Sequence, residues 1–298
     1  MVLIERVDRM QLAVRERAAA EETFTRLLGA ERAREDESAY LNASRTILSI
    51  GESELELCEA RGPGVVRDFV ERWGEGLLCA GFATSQMEAL AVHLDSIAAA
   101  YMREGEQLYL PGTTTAGFPM VISRLRARPR VGPVSFFYEA TNTLESDWSK
   151  AAALYTRLFE LDPEKFSPIA SDRFGYQGTL TLIDPPARLD RIELSQTFAG
   201  RPSAMRGFVE RRGGDSLYMC YLETDAYDRL QNRLLAGGAT LIPRGMSIEA
   251  ERDGCWVHPK SLHGLLLGIS RTSLAWEWSG RPELVQKVSG TFSARKGS

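Results

Sequence analysis

Apolar residues alternate with polar ones, or run unbroken, over short stretches bounded by Gly, Pro and charges; between these stretches they recur at helical spacing. The pattern predicts a strand over Val7 to Val14, then an amphipathic helix over Ala18 to Leu28 ending at Gly29. Short strands follow around Ala39 to Leu41, Thr46 to Ile50 and Glu54 to Cys58. After a connector bearing Gly and Pro, Leu77 to Ala83 reads as a strand. Ser85 with Glu88 has capping-box spacing and opens a helix continuing past His93. The order then returns: a strand over Val134 to Ala140, a helix over Asp147 to Phe159, and strands near Tyr176, over Thr179 to Ile183 and over Arg191 to Ser195. A connector leads to a strand over Leu217 to Glu223. Leu230, Leu234 and Leu235 mark an apolar helix face before a last strand, Gly264 to Ile269.

The recurrence extends to local sequence. Phe24-Thr25-Arg26-Leu27-Leu28 answers Tyr155-Thr156-Arg157-Leu158-Phe159, and Leu55-Glu56-Leu57 answers Ile192-Glu193-Leu194. Phe69-Val70-Glu71-Arg72 returns as Phe208-Val209-Glu210-Arg211, and Leu77-Leu78-Cys79 answers Leu217-Tyr218-Met219. The spacing between partners only increases along the chain, as a duplication with a few loop insertions requires. Two homologous halves follow, joined near Arg128 to Pro133, and the order of one strand, one helix and three strands recurs about four times.

Composition narrows the partners. With 44% hydrophobic and 26% charged residues the chain is globular, and its net charge of −4 provides no field to attract nucleic acid or an anionic membrane. No apolar run reaches the length of a transmembrane helix and no signal peptide is legible, so the expected location is cytoplasmic, as a monomer or homodimer. Cys58, Cys79, Cys220 and Cys255 lack CxxC spacing and read as buried thiols. His93, His258 and His263 are the only histidines.

The element order, with Thr23 to Gly29, Phe69 to Phe82, Trp256-Val257-His258-Pro259-Lys260, Gly264 to Leu267, and Asp147-Trp148 through Leu158-Phe159, resembles the vicinal oxygen chelate superfamily of glyoxalases, epimerases, extradiol and hydroxyphenylpyruvate dioxygenases and bleomycin-resistance proteins. Local similarity is to methylmalonyl-CoA epimerase and 4-hydroxyphenylpyruvate dioxygenase. The resemblance implies an α+β fold of four βαβββ modules in two glyoxalase-like domains. The first is 1–128 (modules about 5–60 and 74–128), the second 131–272 (modules about 131–197 and 214–272), with a tail over 273–298. Whether modules pair within or across halves stays open.

In that superfamily two His and Glu residues on a curved sheet hold a divalent metal. Carried over, the first His falls on Arg9, the second on Cys79, the middle Glu on Glu56 and the last on Arg124 or Ser123; in the second half the positions are Ser135 or Tyr138, Glu193, Met219 and Gly268. Arg stays protonated and cannot be a ligand, so neither half keeps a metal set, and no metal or other cofactor is expected. Arg9 and Arg124 beside Glu56 predict a positive first cleft for a carboxylate or phosphate; the alternative is a salt bridge filling the old metal position. The second cleft offers Glu193, Tyr138, Arg191, Tyr218 and Met219, suited to an uncharged or aromatic ligand. His258 is a further binding candidate, although a His-Pro turn ordinarily uses its ring as a cap.

Two functions follow. One is a metal-independent lyase, isomerase or hydrolase on a carbonyl or acyl substrate, with Glu193 or Glu56 moving the proton and Arg or Tyr holding the developing oxyanion. The other is a non-catalytic protein that binds or sequesters a small organic molecule, anionic if it occupies the first cleft. A raised carboxylate pKa in a desolvated cleft favours the enzyme; a wide apolar cleft with paired carboxylates favours the binder.

Overall fold

The computed structural model describes residues 2–244 and 253–286. In the first half β1 (Arg6–Val14), α1 (Arg17–Leu28), β2 (Glu31–Ser38), β3 (Ala43–Ile50) and β4 (Ser53–Ala60) make one module. The connecting helix α2 (Val65–Trp73) leads to the next: β5 (Gly76–Thr84), α3 (Met87–Ser96), β6 (Met102–Glu104), β7 (Gln107–Leu110) and β8 (Met120–Arg124). The second half repeats this with β9 (Phe136–Leu144), α4 (Trp148–Phe159), β10 (Ser167–Ser171), β11 (Tyr176–Leu182) and β12 (Arg191–Thr197). Helix α5 (Ala204–Arg212) then joins β13 (Ser216–Thr224), α6 (Tyr227–Ala236), β14 (Leu241–Pro243), β15 (Gly254–Val257) and β16 (Leu267–Arg271).

Each half is one eight-stranded sheet, in the orders β2-β3-β4-β1-β5-β8-β7-β6 and β10-β11-β12-β9-β13-β16-β15-β14. First strands of paired modules run antiparallel at the centre, β1 against β5 and β9 against β13. Modules therefore pair within halves. The fold is the duplicated α+β glyoxalase-like arrangement.

Period-two alternation decides which face packs. Leu55 and Leu57, and Ile192 and Leu194, join a core with Phe24 and Leu27 of α1 and Tyr155, Leu158 and Phe159 of α4. The polar alternates Glu54, Glu56, Arg191 and Glu193 consequently face the concave side. Gly29 ends α1 in the left-handed region at φ 71°. One core spans both halves, and Tyr155 Oη donates to the Thr115 carbonyl at 2.9 Å across the junction.

Several boundaries differ from the pattern reading. The strand expected around Ala39 to Leu41 is a turn, and β2 lies before it as the nearly all-charged Glu31–Ser38. An edge strand needs little apolar surface, and its charges oppose further pairing, so alternation did not reveal it. The strand expected near Tyr176 belongs to β11, while β10 precedes it; the last strand starts at Leu267. Both connectors contain helices. The Ser85–Glu88 capping box does not form: Ser85 donates to Glu5 and α3 has no side-chain cap. Leu235 is 55% exposed, unlike Leu230 and Leu234. No helix among the described residues is long and apolar enough to cross a membrane.

Candidate functional site

The first cleft is filled. Arg9, only 4% exposed, donates to Glu56 Oε1 at 2.6 Å and also pairs with Asp8 at 2.8 Å and Glu54 at 3.0 Å. Arg45 reaches Glu56 Oε2 at 3.1 Å and Asp36 at 2.6 Å, and Gln11 donates to Glu56 Oε2 at 2.7 Å. Arg128 pairs with Asp8 at 2.6 Å and Glu54 at 3.3 Å, and Arg34 with Glu54 at 2.6 Å. Four guanidinium groups thus meet Asp8, Asp36, Glu54 and Glu56. Burial opposes ionisation of Glu56, but Arg9 and Arg45 prevail and hold its carboxyl below the usual range.

The cleft matches the salt-bridge alternative, and Cys79 the buried-thiol reading, whereas the placement of Arg124 changes. The surplus positive charge is cancelled, so the site is not the predicted anion cleft. Arg124 does not face Glu56: it is 43% exposed and lies 3.5 Å from Glu106, and Ser123 occupies the inward position. Its expected place beside Glu56 is filled by Arg45, while Arg128, from the junction of the halves, pairs with Asp8 and Glu54. Cys79 lies in an apolar cluster with Tyr109 and Val121; burial, with Glu56 nearby, raises its thiol well above the ordinary value. It is an inert buried thiol rather than a ligand contact.

The second half opens into a cavity of about 920 Å³ whose walls include Tyr138, Glu193, Tyr218, Met219, Tyr221 and Trp256. Strand register explains the contrast. Arg9 sits opposite Glu54 and Gly81, whereas the same position in the second half carries Glu139 opposite Arg191 and Tyr221. The ion pair has exchanged strands. Arg45, opposite Cys58, becomes Gly178 opposite Ser195, and Gln107, opposite Ser123, becomes Gly254 opposite Ser270. Two polar side chains that crowd Glu56 therefore have no counterparts beside Glu193.

Glu139 and not Ser135 or Tyr138 occupies the first-strand position, a residue the sequence reading missed. Its signal was available, because the offset matching Leu55 to Ile192 pairs Glu54 with Arg191 and hence Arg9 with an acid. Arg191 Nε donates to Glu139 at 2.6 Å, and its Nη1 donates to Ser279 Oγ at 2.5 Å and the Ala275 carbonyl at 3.3 Å. The tail thereby docks under the cavity. Glu193 accepts from Ser195 Oγ, and Thr141 Oγ1 lies 3.4 Å from both Glu139 and Glu193. Burial, then the neighbouring Glu139 carboxylate, pushes Glu193 well above the usual carboxyl range. One guanidinium faces two neighbouring carboxylates here, which favours the protonated form of Glu193.

Tyr138 is buried, with its hydroxyl 2.8 Å from Ser270 Oγ and its ring beneath Arg191. Tyr218 packs edge-on against Phe208. His258 is outside this cavity: Nδ1 accepts the Lys260 backbone N–H at 3.1 Å as a turn cap. His263 bridges the halves through Glu75 at 2.9 Å and Thr23 at 3.1 Å, and His93 contacts the Arg157 carbonyl at 2.7 Å.

The divalent ion associated with this fold requires at least three converging protein donors. Of the four acids lining the cavity, Glu139 and Glu193 lie together, Glu139 held by Arg191, Asp253 is paired with Arg271, and no group of three His, Cys, Asp or Glu side chains converges among the described residues. These residues do not fit such an ion.

Comparison with solved structures agrees with this architecture. A triple mutant of 4-hydroxymandelate synthase from Streptomyces coelicolor matches over 90% of this chain and 92% of its own, with a TM-score of 0.71 at 14% identity. A fusion of a xylose isomerase-like TIM barrel with 4-hydroxyphenylpyruvate dioxygenase matches 91% of this chain and 49% of its own, with a TM-score of 0.62 at 12% identity. The chain thus spans about half of that fusion. No family model and no curated protein matches the sequence. The chain shares the fold of these two proteins.

Proposed function

We propose that the second-half cavity is the active site of a metal-independent enzyme, a lyase, isomerase or hydrolase that moves a proton on a carbonyl or acyl substrate. The observation carrying this reading is Glu193: a carboxyl that burial and the neighbouring Glu139 push well above the usual range, donated to by Ser195, on the wall of a cavity large enough for a small organic molecule. Such a group exchanges a proton with substrate at little cost. Tyr218, half-buried on the same wall, stabilises an oxygen on which negative charge develops, whereas Arg191 and Tyr138 are buried and engaged by Glu139 and Ser270. Glu56 has no such role, because its carboxylate is fully engaged.

The test is incubation with a panel of small carbonyl compounds and acyl thioesters in heavy water, following conversion and deuterium uptake by NMR, with elemental analysis of the dialysed protein. Turnover or exchange abolished by Glu193→Gln with little lost stability supports the reading. Turnover indifferent to Glu193→Gln, or near one zinc, iron, nickel or manganese per chain lost with Glu193→Ala, overturns it. The width and aromatic walls of the cavity favour the second reading, a non-catalytic binding protein; tight binding across the panel without conversion or exchange selects that one.

A further inference from the structure

Arg244, on the wall of the same cavity, has a different environment from the guanidinium groups of the first cleft. Its guanidinium carbon lies 4.1 Å from the ring centroid of Trp278, 5.4 Å from Tyr221 and 5.5 Å from Trp256. Nη1 donates to Ser270 Oγ at 2.8 Å, and no carboxylate pairs with the group among the described residues. Arg9, Arg45, Arg128 and Arg191 each face an acid directly. Ring stacking occupies the faces of the guanidinium plane and leaves its edge, where the N–H donors project in a fork that matches a carboxylate. Arg173, whose Nη1 donates to the Arg244 backbone carbonyl at 3.2 Å, brings a second cation to this end. The rings hold this half-buried guanidinium in place, and its charge stays available to a ligand that enters the cavity.

We propose that Arg244 is the anion-binding subsite of the cavity and selects a ligand that carries a carboxylate on a flat apolar body, the body lying against Trp256 and Trp278. This rests on the reading of the cavity as the functional site and adds the class of molecule that enters it. It also moves the anionic end of the ligand from the first cleft, where the sequence placed it, to the second.

The probes are naphthoate and its uncharged isostere naphthamide, with affinities measured by calorimetry on the full chain. Wild type is expected to bind the acid at least roughly tenfold more tightly than the amide, a charge-assisted bidentate contact being worth about that factor or more. Arg244→Met, which keeps an apolar stem but removes the charge and the fork, should abolish that preference and leave naphthamide affinity within about twofold. Equal affinity of wild type for acid and amide, binding of neither, or a preference that survives in Arg244→Met overturns the proposal. The wild-type comparison stands even if Arg244→Met fails to fold. Glu193→Gln should retain the acid preference. Acid preference dependent on Arg244 without turnover therefore refutes the catalytic reading alone, and turnover dependent on Glu193 without acid preference refutes the subsite alone.

Discussion

The two halves place a glutamate at the same register position on the same strand, yet Glu56 and Glu193 have opposite protonation tendencies. Glu56 has Arg9 on the strand to one side and Arg45 on the strand to the other; Glu193 has Glu139 and Gly178 at those positions. Glu56 is fully buried and Glu193 only half-buried on the cavity wall, yet it is Glu193 whose pKa is raised, so the sign of the neighbour decides the outcome. Duplication supplies two copies of one scaffold. One copy became an ion-paired strut and the other retained an open cavity with a carboxyl that titrates abnormally.

Exchanging the two glutamates for glutamine breaks this comparison most directly. Glu193→Gln is expected to lower turnover by ~10² to 10⁴, the loss of a general acid or base, as measured by deuterium uptake on the responsive substrate. Glu56→Gln should leave chemistry intact and cost about 3 to 5 kcal/mol of stability, because Arg9 and Arg45 lose a shared buried counter-charge; denaturant melts check this. An inactive but stable Glu56→Gln protein would reverse the roles of the clefts.

Packing against the two sites makes a smaller difference. A Cβ on Gly81 would lie 2.0 Å from Arg9 Cγ, and one on Gly268 would lie 2.0 Å from the Tyr221 ring. Each glycine makes room for the side chain that defines its cleft. Gly81→Ala should cost about 1 to 3 kcal/mol by displacing Arg9 from Glu56. Gly268→Ala should cost a similar amount and also alter ligand affinity, which Gly81→Ala should not.

The pH dependence of stability sharpens the contrast further. Glu193 has a raised folded pKa, so its contribution is fully present below the ordinary carboxyl range and is lost as pH rises, when the unfolded chain releases a proton that the native state retains. Glu193→Gln should therefore match wild type at low pH and become relatively more stable as pH rises. Glu223, which burial raises to about 6, adds the same trend to both proteins and cancels in their difference. Glu56 acts oppositely: its contribution is present above the ordinary range and lost on acidification. Melting temperatures across pH for wild type and both Gln variants test both signs. Smallest of all, Arg124→Ala should change stability by no more than about 0.5 kcal/mol, since Arg124 is exposed outside both clefts.

Much of the scaffold was legible because it depends on local pattern. The matches at Leu55-Glu56-Leu57 and Ile192-Glu193-Leu194 carried the duplication, the strand alternation and the inward direction of both glutamates. That Arg9, Met219 and Gly268 stand where the resemblance places ligands was also readable from the residues alone. Residues whose importance depends on a strand far along the chain were harder to recognise. Arg45, Arg128 and Glu139 carry no local motif, and Arg124, in the same alternating run as Arg128, does not share its environment.

The sequence by itself determined the two-half α+β architecture and which face of each strand is polar, because hydrophobic periodicity and internal repetition act over neighbouring residues. Only the tertiary structure decided that one polar face is closed by balanced ion pairs while the other remains a cavity with Glu139 beside Glu193 and Arg244 held among aromatic rings. Charge balance and open volume are properties of several strands and the tail brought together. They depend on separations in space that vary independently of separations along the chain.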